Sequence, residues 1–181
     1  MSSEPPNRVA FEPISRRLAD GTEVRLRLID PDDGPLLVEL FYTLSPESIY
    51  NRFLTPVHRV DHRHIKRLVD IDMCIQVALV ACIDAGDHWR IVGVARYHRN
   101  PENMEEAEVA IIVGDPWQGR GIGGMLLQEI GNLAISCGIN RFSSTVNPGN
   151  AKLLRFAESY GYESTKKYED GLLKMETELR V

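Results

Sequence analysis

The sequence predicts an α+β fold, a single domain whose mixed, mostly antiparallel twisted sheet carries helices on both faces. Short, turn-rich links join the early strands, and links of that length allow only antiparallel pairing. Later segments alternate strand, helix and strand, which is typical of a crossover to a parallel neighbour. The 181 residues contain no internal repeat and no linker that would divide them, so one domain is expected.

The N-terminal region begins with a segment that has little to bury. Residues 1–12 include Pro5-Pro6 and polar neighbours, so we expect a flexible N-terminus and a domain that spans residues 13–181. A β-hairpin is predicted over residues 14–18 and 23–29. Asp20-Gly21 is a favoured two-residue turn for such a hairpin, and apolar residues alternate with arginines after it.

The remaining elements follow from capping residues, apolar periodicity and turns. Asp30 can cap a helix that Pro31 begins, and Ser45-Pro46-Glu47 opens a second helix in the same manner. A third helix is predicted over residues 62–69. The later predictions are strands over 74–83, 90–98 and 108–113, a helix from Ile122 to Gly138, a strand over 142–146, a helix over 148–159 capped by Asn147, and a strand pair around Asp170-Gly171.

The composition argues against several classes of function. Lys and Arg number 21 against 26 Asp and Glu, for a net charge of −5, which disfavours general binding to nucleic acid. Cys74, Cys82 and Cys137 are scattered, which predicts reduced thiols in a cytoplasmic protein. His62 and His64 belong to no metal-binding pattern. The N-terminus resembles no signal peptide and no apolar run is long enough to span a membrane, so we expect no metal and no membrane partner.

The most informative segment follows the strand predicted at residues 108–113. Gln118-Gly-Arg-Gly-Ile-Gly123 lies between this strand and an amphipathic helix. Glycines let a ligand approach the backbone closely, and the start of a helix presents free N–H groups at the positive end of its dipole. The segment therefore predicts a site for a phosphate or pyrophosphate group.

These glycines have three other interpretations. Gly119, Gly121 and Gly124 also spell the dinucleotide-binding pattern, but that pattern follows the first strand of a βαβ unit and needs an acid about 20 residues later. Residues 141–146 contain no acid. No Lys-Ser or Lys-Thr follows the glycines, which excludes a P-loop. A glycine-rich helix entry without a ligand stays open, although clustered glycines are costly for stability.

On these residues the chain resembles the GNAT superfamily of N-acetyltransferases. The pyrophosphate loop of that family has the pattern Gln/Arg-x-x-Gly-x-Gly/Ala, which Gln118, Gly121 and Gly123 match. Asn147-Pro-Gly-Asn150 is similar to the family's asparagine-containing helix start, and Tyr160-Gly161-Tyr162 stands where the family has Gly-Phe. The resemblance covers nearly the whole chain.

The resemblance implies an enzyme that uses acetyl-CoA and no metal. It implies that the loop binds the CoA pyrophosphate and that the main chain of the preceding strand pairs with the pantetheine arm and the thioester carbonyl. It also implies that the last asparagine of the second motif hydrogen-bonds the cofactor. The residues assigned to acetyl-CoA in this way are Ile111, Ile112, Val113, Gln118, Gly119, Arg120, Gly121, Ile122, Gly123 and Asn150.

The resemblance also suggests one catalytic residue, Glu108. Some GNAT protein acetyltransferases have a glutamate at the start of this strand, and an acceptor amine is almost wholly protonated at neutral pH, so a general base is expected. Burial would strengthen Glu108 as a base, and a solvated strand end is the alternative. Many GNAT enzymes have a tyrosine acid where Ala157 stands. Tyr160 and Tyr162 are expected to pack, so no general acid is assigned.

The function remains open among three possibilities, two acceptors and one non-catalytic role. Residues 44–53 are similar to a segment of bacterial protein-lysine acetyltransferases, which favours a protein lysine ε-amine. A small amine is the alternative acceptor. A non-catalytic sensor that binds acyl-CoA is a further alternative, because the tyrosine acid is missing. A monomer and a homodimer are both compatible with the sequence.

Overall fold

An eight-stranded sheet organises the part of the chain that the structure, a computed structural model, describes: residues 9–159 and 164–179. Short 3-10 turns at Pro31–Asp33 and Asp115–Trp117 precede α1 and α4 respectively. The strands are β1 (Ile14–Arg17), β2 (Glu23–Leu28), β3 (Gln76–Asp84), β4 (Trp89–Asn100), β5 (Asn103–Val113), β6 (Arg141–Val146), β7 (Ser164–Glu169) and β8 (Leu172–Glu178). The helices are α1 (Gly34–Tyr42), α2 (Pro46–Phe53), α3 (His62–Val69), α4 (Ile122–Ser136) and α5 (Ala151–Ser159).

The strand order is β1-β2-β3-β4-β5-β6-β8-β7. Every neighbouring pair runs antiparallel except β5 and β6, which are parallel. The α4 helix provides the crossover between these two strands, as parallel pairing requires. The predicted fold class, a mixed and mostly antiparallel sheet in an α+β domain, is confirmed.

Helices cover both faces of the sheet. On one face, Ile122, Leu126 and Ile130 of α4 pack into a core with the side chains of the central strands. On the other face, α1 and α3 contribute a second core that includes Leu37 and Ile65. Burial of these apolar side chains supplies the main free energy of folding. It also fixes β5 between two layers, which positions the site described below.

Several predicted boundaries differ from the structure, and two of these differences lie next to the site. The β4 and β5 strands extend to a tight connection at Asn100 and Asn103, so β5 begins five residues before Glu108. The α5 helix begins at Ala151 rather than at residue 148. Asn147 is not its cap: its Oδ1 accepts a hydrogen bond from Gly149 N, and Asn150 Oδ1 accepts one from Leu153 N.

Some expectations concern the ends of the chain. Val9 is buried, and its N–H donates a hydrogen bond of 2.8 Å to Met73 O. The predicted Tyr160-Gly161-Tyr162 motif and residues 1–8 lie outside the described residues. None of the three cysteines forms a disulfide within the described residues, and burial raises the pKa of Cys82 to about 11. None of the helices in the described ranges is long and apolar enough to cross a membrane.

Candidate active site

The sheet opens between its two parallel strands. Pairing of β5 with β6 covers only Glu106 to Glu108, and Glu108 opposite Ser143 is its last pair. Beyond this point residues 109–113 of β5 pair with β4 alone. Because backbone groups of a strand alternate between its two sides, half of the polar groups in this stretch face the opening between the strands.

A cavity of about 290 Å³ occupies this opening. The main chain and side chains of β5 form one wall, and Ser144 to Val146 of β6 form the other. The C-terminal end of α2 and the first turns of α5 close the cavity above the strands. The residues on β5 and α2 are Glu108, Val109, Ala110, Ile111, Asn51, Arg52 and Phe53. An extended chain with carbonyl and amide groups could add to the free edge of β5 here.

The glycine loop lies at the start of α4. Gly119 and Gly121 have φ values of +74° and +89°, a left-handed conformation that glycine adopts without strain. The backbone N–H groups of residues 119–124 make no hydrogen bond with any residue in the described ranges. Because these donors sit at the positive end of the dipole of a fifteen-residue helix, the loop can bind phosphate oxygens.

The loop and the cavity are neighbours. A Cβ atom at Gly123 would lie 3.7 Å from the ring of Phe156 and 3.8 Å from Val113, and Phe156 lines the cavity. These are ordinary van der Waals distances, so the first turn of α4 lies close to β5 and to the lining of the cavity. One extended ligand could therefore reach from the loop into the opening of the sheet.

Gln118 holds the loop to the rest of the protein. Its Nε2 atom lies 3.1 Å from Val113 O, 3.2 Å from Asp115 Oδ1 and 3.3 Å from Ser48 Oγ. The side chain thus connects the end of β5, the 3-10 turn and α2. In this structure the exposed amide of Gln118 holds the loop conformation through these contacts.

The other predicted loop and cap residues have separate environments. Arg120 pairs with Asp20 at 2.9 Å and lies over the Trp117 ring at 4.8 Å. Asn150 is half-buried and caps α5, with its Oδ1 accepting a hydrogen bond from Leu153 N. The side chain of Ile111 lines the opening, whereas Ile112 points to the opposite face of the sheet. Val113 packs into the core beside α4.

Glu108 stands where the two strands separate. Its side chain is exposed, so the burial that would strengthen a base is absent. The carboxylate is close enough to Arg52 to act on its pKa: burial lowers the pKa of Arg52, and Glu108 raises it in part. Glu108 therefore offers an accessible carboxylate at the mouth of the opening, beside a guanidinium that sequence analysis did not select.

A second cavity of about 500 Å³ lies between strands β4 and β5 and the helices α1, α2 and α3, on the face of the sheet that is opposite α4. Arg52, Phe53 and Ala110 line both cavities. Arg96 also lines the larger one, and burial lowers its pKa to about 10, with the charge of Arg52 adding to the effect. In the sequence, Arg96 stands between Ala95 and Tyr97, which are both buried. An arginine within such an apolar strand is the sequence feature that could have indicated this site.

Together these features define a class of protein. A sheet that opens between parallel strands, next to a glycine loop with free N–H groups, is suited to a long cofactor with a pyrophosphate at one end and an amide-containing arm at the other. This is the architecture of an acyl-CoA-dependent transferase. The chain belongs to the acetyltransferase (GNAT) family, which matches residues 46–162.

Known proteins resemble this chain to different extents. The GNAT domain of S. lividans PAT has 33% sequence identity and a TM-score of 0.84, over 92% of this chain and 97% of that one. Acetyltransferase Pat of Mycolicibacterium smegmatis is 28% identical over 149 residues, which are 82% of this chain and 44% of that protein. This chain thus spans less than half of that relative.

A third protein was solved with acetyl-CoA as its cofactor. It is yncA of Salmonella typhimurium, a structure described as a putative acetyltransferase, with a TM-score of 0.67 and 19% identity over 87% of this chain and 94% of that one. This likeness concerns the fold. The family match supports acetyl-CoA as the co-substrate of an N-acetyltransferase.

Proposed function

We propose that this chain transfers the acetyl group of acetyl-CoA to a protein lysine ε-amine, with Glu108 as general base. The observation that carries the proposal is the opening of the sheet, which begins at Glu108 and ends beside the unbonded N–H groups of the glycine loop. The similarity to the GNAT domain of S. lividans PAT supports a protein acceptor. The proposed catalytic domain covers residues 13–181, and a cytoplasmic location is proposed with it, since the cysteines of the described ranges form no disulfide.

The proposed division of labour follows the geometry. The N–H groups from Gly119 to Gly123 bind the pyrophosphate, and the free edge of residues 111–113 pairs with the pantetheine arm. Backbone N–H groups of this edge stabilise the oxyanion, a contribution of about 3–4 kcal/mol per donor in enzymes of known mechanism. Asn150, at the start of α5, contacts the cofactor from the other wall.

The proposed chemistry is a direct attack. The ammonium of the acceptor loses a proton to Glu108, directly or through water, and its nitrogen bonds to the thioester carbonyl carbon. The C–S bond then breaks, the nitrogen of the tetrahedral adduct releases its second proton to solvent, and the CoA thiolate takes a proton from solvent. An exposed carboxylate suits this role toward a large acceptor, since the lysine of a protein must reach the base from outside.

Glu108→Gln tests the base, with Glu102→Gln as a matched control in the exposed β4–β5 connection. Thiol release from acetyl-CoA is measured with a panel of lysine peptides, a folded protein acceptor, spermidine and amino acids. We expect Glu108→Gln to lose about 100-fold or more in kcat while acetyl-CoA affinity stays unchanged. Glu102→Gln should keep full turnover.

The panel separates the alternatives. Turnover only with spermidine or an amino acid would replace the protein lysine by a small amine. Tight binding of acetyl-CoA without turnover on any acceptor would favour a sensor. Equal turnover by Glu108→Gln and the parent protein would remove Glu108 from the mechanism.

A further inference from the structure

The larger cavity has an unusual combination of size and lining. Its volume of about 500 Å³ lies beneath α1, α2 and α3, next to the opening of the sheet. Most of its wall is apolar, and it meets the smaller cavity at Ala110, whose side chain is a single methyl group. An acetyl group held in the opening of the sheet would leave this volume unfilled. A longer acyl chain could pass Ala110 and enter it.

The charged groups of this cavity are mostly positive, although the chain carries a net charge of −5. Among the described residues, the only carboxylate that lines it is Asp61, which caps α3 by accepting a hydrogen bond from Arg63 N and lies 3.5 Å from the Arg63 guanidinium. The cationic and imidazole side chains that line it are Arg52, Arg59, Arg67, Arg96 and His64. The local field therefore favours an anion.

Two of these arginines lack partners for most of their donors. Arg52 makes no hydrogen bond and no ion pair within the described ranges; its guanidinium lies 5.1 Å from the Phe53 ring centre. Arg96 donates one hydrogen bond, from Nη2 to Leu68 O over 2.8 Å. A guanidinium has five N–H donors, and both of these guanidiniums are half-buried and line the cavity. Their unused donors are therefore available to an anionic ligand inside it.

We propose that this cavity binds a carboxylate at the far end of the acyl group, so that CoA thioesters of dicarboxylic acids are acyl donors for this enzyme. This inference rests on the proposed function. A planar guanidinium matches a carboxylate in geometry, and the apolar wall accommodates the methylene groups between carboxylate and thioester. These positively charged side chains would not stabilise a cationic acceptor amine. The acceptor amine instead reaches the thioester past Glu108, which is exposed at the mouth of the opening.

The transfer step is the same as for acetyl. The amine nitrogen forms an amide bond to the thioester carbonyl carbon, the C–S bond breaks, and the electron pair leaves with the CoA sulfur. The ammonium passes one proton to Glu108, the nitrogen of the tetrahedral adduct releases a second proton to water, and the thiolate takes a proton from water. The distal carboxylate stays ionised and bonded to the arginines, and no oxidation or reduction occurs.

Binding of three thioesters tests the inference without an acceptor. Succinyl-CoA is compared with butyryl-CoA, which has the same carbon chain with a methyl group in place of the carboxylate, and acetyl-CoA is the reference. Isothermal titration calorimetry gives each Kd. We expect succinyl-CoA to bind about 10-fold or more tightly than butyryl-CoA, as is typical of a hydrogen-bonded ion pair.

Variants identify the residues responsible. Arg96→Gln should remove most of the preference for succinyl-CoA and leave the affinity for acetyl-CoA within about two-fold. Arg52→Gln should also remove most of the preference, which is measured relative to its own acetyl-CoA affinity because Arg52 also lines the opening of the sheet. Arg96→Lys keeps the charge and should retain part of the preference if Arg96→Gln proves unstable. Arg63→Gln is the matched control on α3, because Arg63 is exposed and does not line the cavity.

Two results would overturn the inference: equal or weaker binding of succinyl-CoA relative to butyryl-CoA, or a preference that survives both glutamine substitutions. Failure of acetyl-CoA itself to bind would overturn this inference together with the proposed function. A clear succinyl-CoA preference without transfer to any lysine peptide would refute only the lysine acceptor. The two proposals can therefore fail separately.

Discussion

The side-chain amide of Gln118 donates a hydrogen bond to Ser48 Oγ over 3.3 Å, between residues 70 positions apart in the chain. This contact joins the glycine loop to the first turn of α2, which begins after the Ser45 cap. The same amide also contacts Val113 O and Asp115 Oδ1. One side chain therefore holds the loop, the end of β5 and the helix that covers the opening of the sheet.

Gln118→Ala should weaken acetyl-CoA binding about 10-fold, because a loop released from these contacts must be ordered when the cofactor binds. Calorimetry gives the affinity, and thermal unfolding shows whether the fold is kept. Gln128→Ala, at an exposed position on α4, is the control and should leave the affinity unchanged. An unaltered Kd in Gln118→Ala would mean that the loop keeps its shape without this amide.

Gly121→Val should abolish acetyl-CoA binding, since a β-branched residue at a φ of +89° shifts the loop and its N–H groups. Gly86→Val is a matched control: Gly86 has a φ of +93° in the β3–β4 turn, and a Cβ at either glycine would meet no atom within 4 Å. Both variants should lose about 1–2 kcal/mol of stability. Only Gly121→Val should lose the cofactor, and equal affinities in the two variants would contradict the loop assignment.

Leu126→Ala should destabilise the protein by about 2–5 kcal/mol, because Leu126 is fully buried where α4 packs on the sheet and its removal leaves a cavity. Urea unfolding measures the change. Gln128→Ala on the exposed side of the same helix should stay within about 0.5 kcal/mol of the parent. A small loss in Leu126→Ala would indicate that α4 can settle onto β4 and β5.

His88 should make a pH-dependent contact between the β3–β4 turn and α1. The hydrogen bond to Asp87, and that carboxylate's charge, raise the pKa of His88, and its Nε2 lies 3.4 Å from Glu39 Oε2. Because the folded-state pKa is the higher one, the stabilisation is present below the unfolded value of about 6.5 and is lost as pH rises through the folded value.

An NMR titration of the imidazole measures this pKa directly. Asp87→Asn should lower it toward the ordinary histidine value, and the stability difference between Asp87→Asn and the parent should be larger at low pH than at high pH. A difference that grows with rising pH would have the wrong sign for this assignment.

Local signals predicted much of the fold. The boundaries of α3 were predicted from the sequence, and α4 was predicted from its apolar face and from Gly138 after it, which has a φ of +79°. These features depend on residues a few positions apart. The start of α5 was wrong because Asn147 and Asn150 are both able to cap, and tertiary contact decides: Asn147 Nδ2 donates to Asn51 Oδ1 over 3.0 Å.

The sequence predicted only the part of the site that residues close together in the chain form. The glycine loop is a continuous segment, so its residue types alone indicate a phosphate site. The guanidiniums of Arg52 and Arg96 come together from α2 and β4, elements that are separated in the chain by α3 and β3. Only the folded sheet brings them next to Ala110. The exposure of Glu108 likewise depends on where β6 leaves β5, which no short pattern encodes.

The short parallel ladder has a consequence for how this protein unfolds. Three residue pairs, from Glu106 opposite Arg141 to Glu108 opposite Ser143, join strands β1 to β5 with strands β6 to β8. With so few bonds at the seam, the smaller half of the sheet can open at a lower free energy than the whole domain. A cofactor bound between β5 and β6 would stabilise the two parts of the sheet together. Hydrogen exchange in β6 and β8 should therefore slow as the cofactor concentration rises, by mass action.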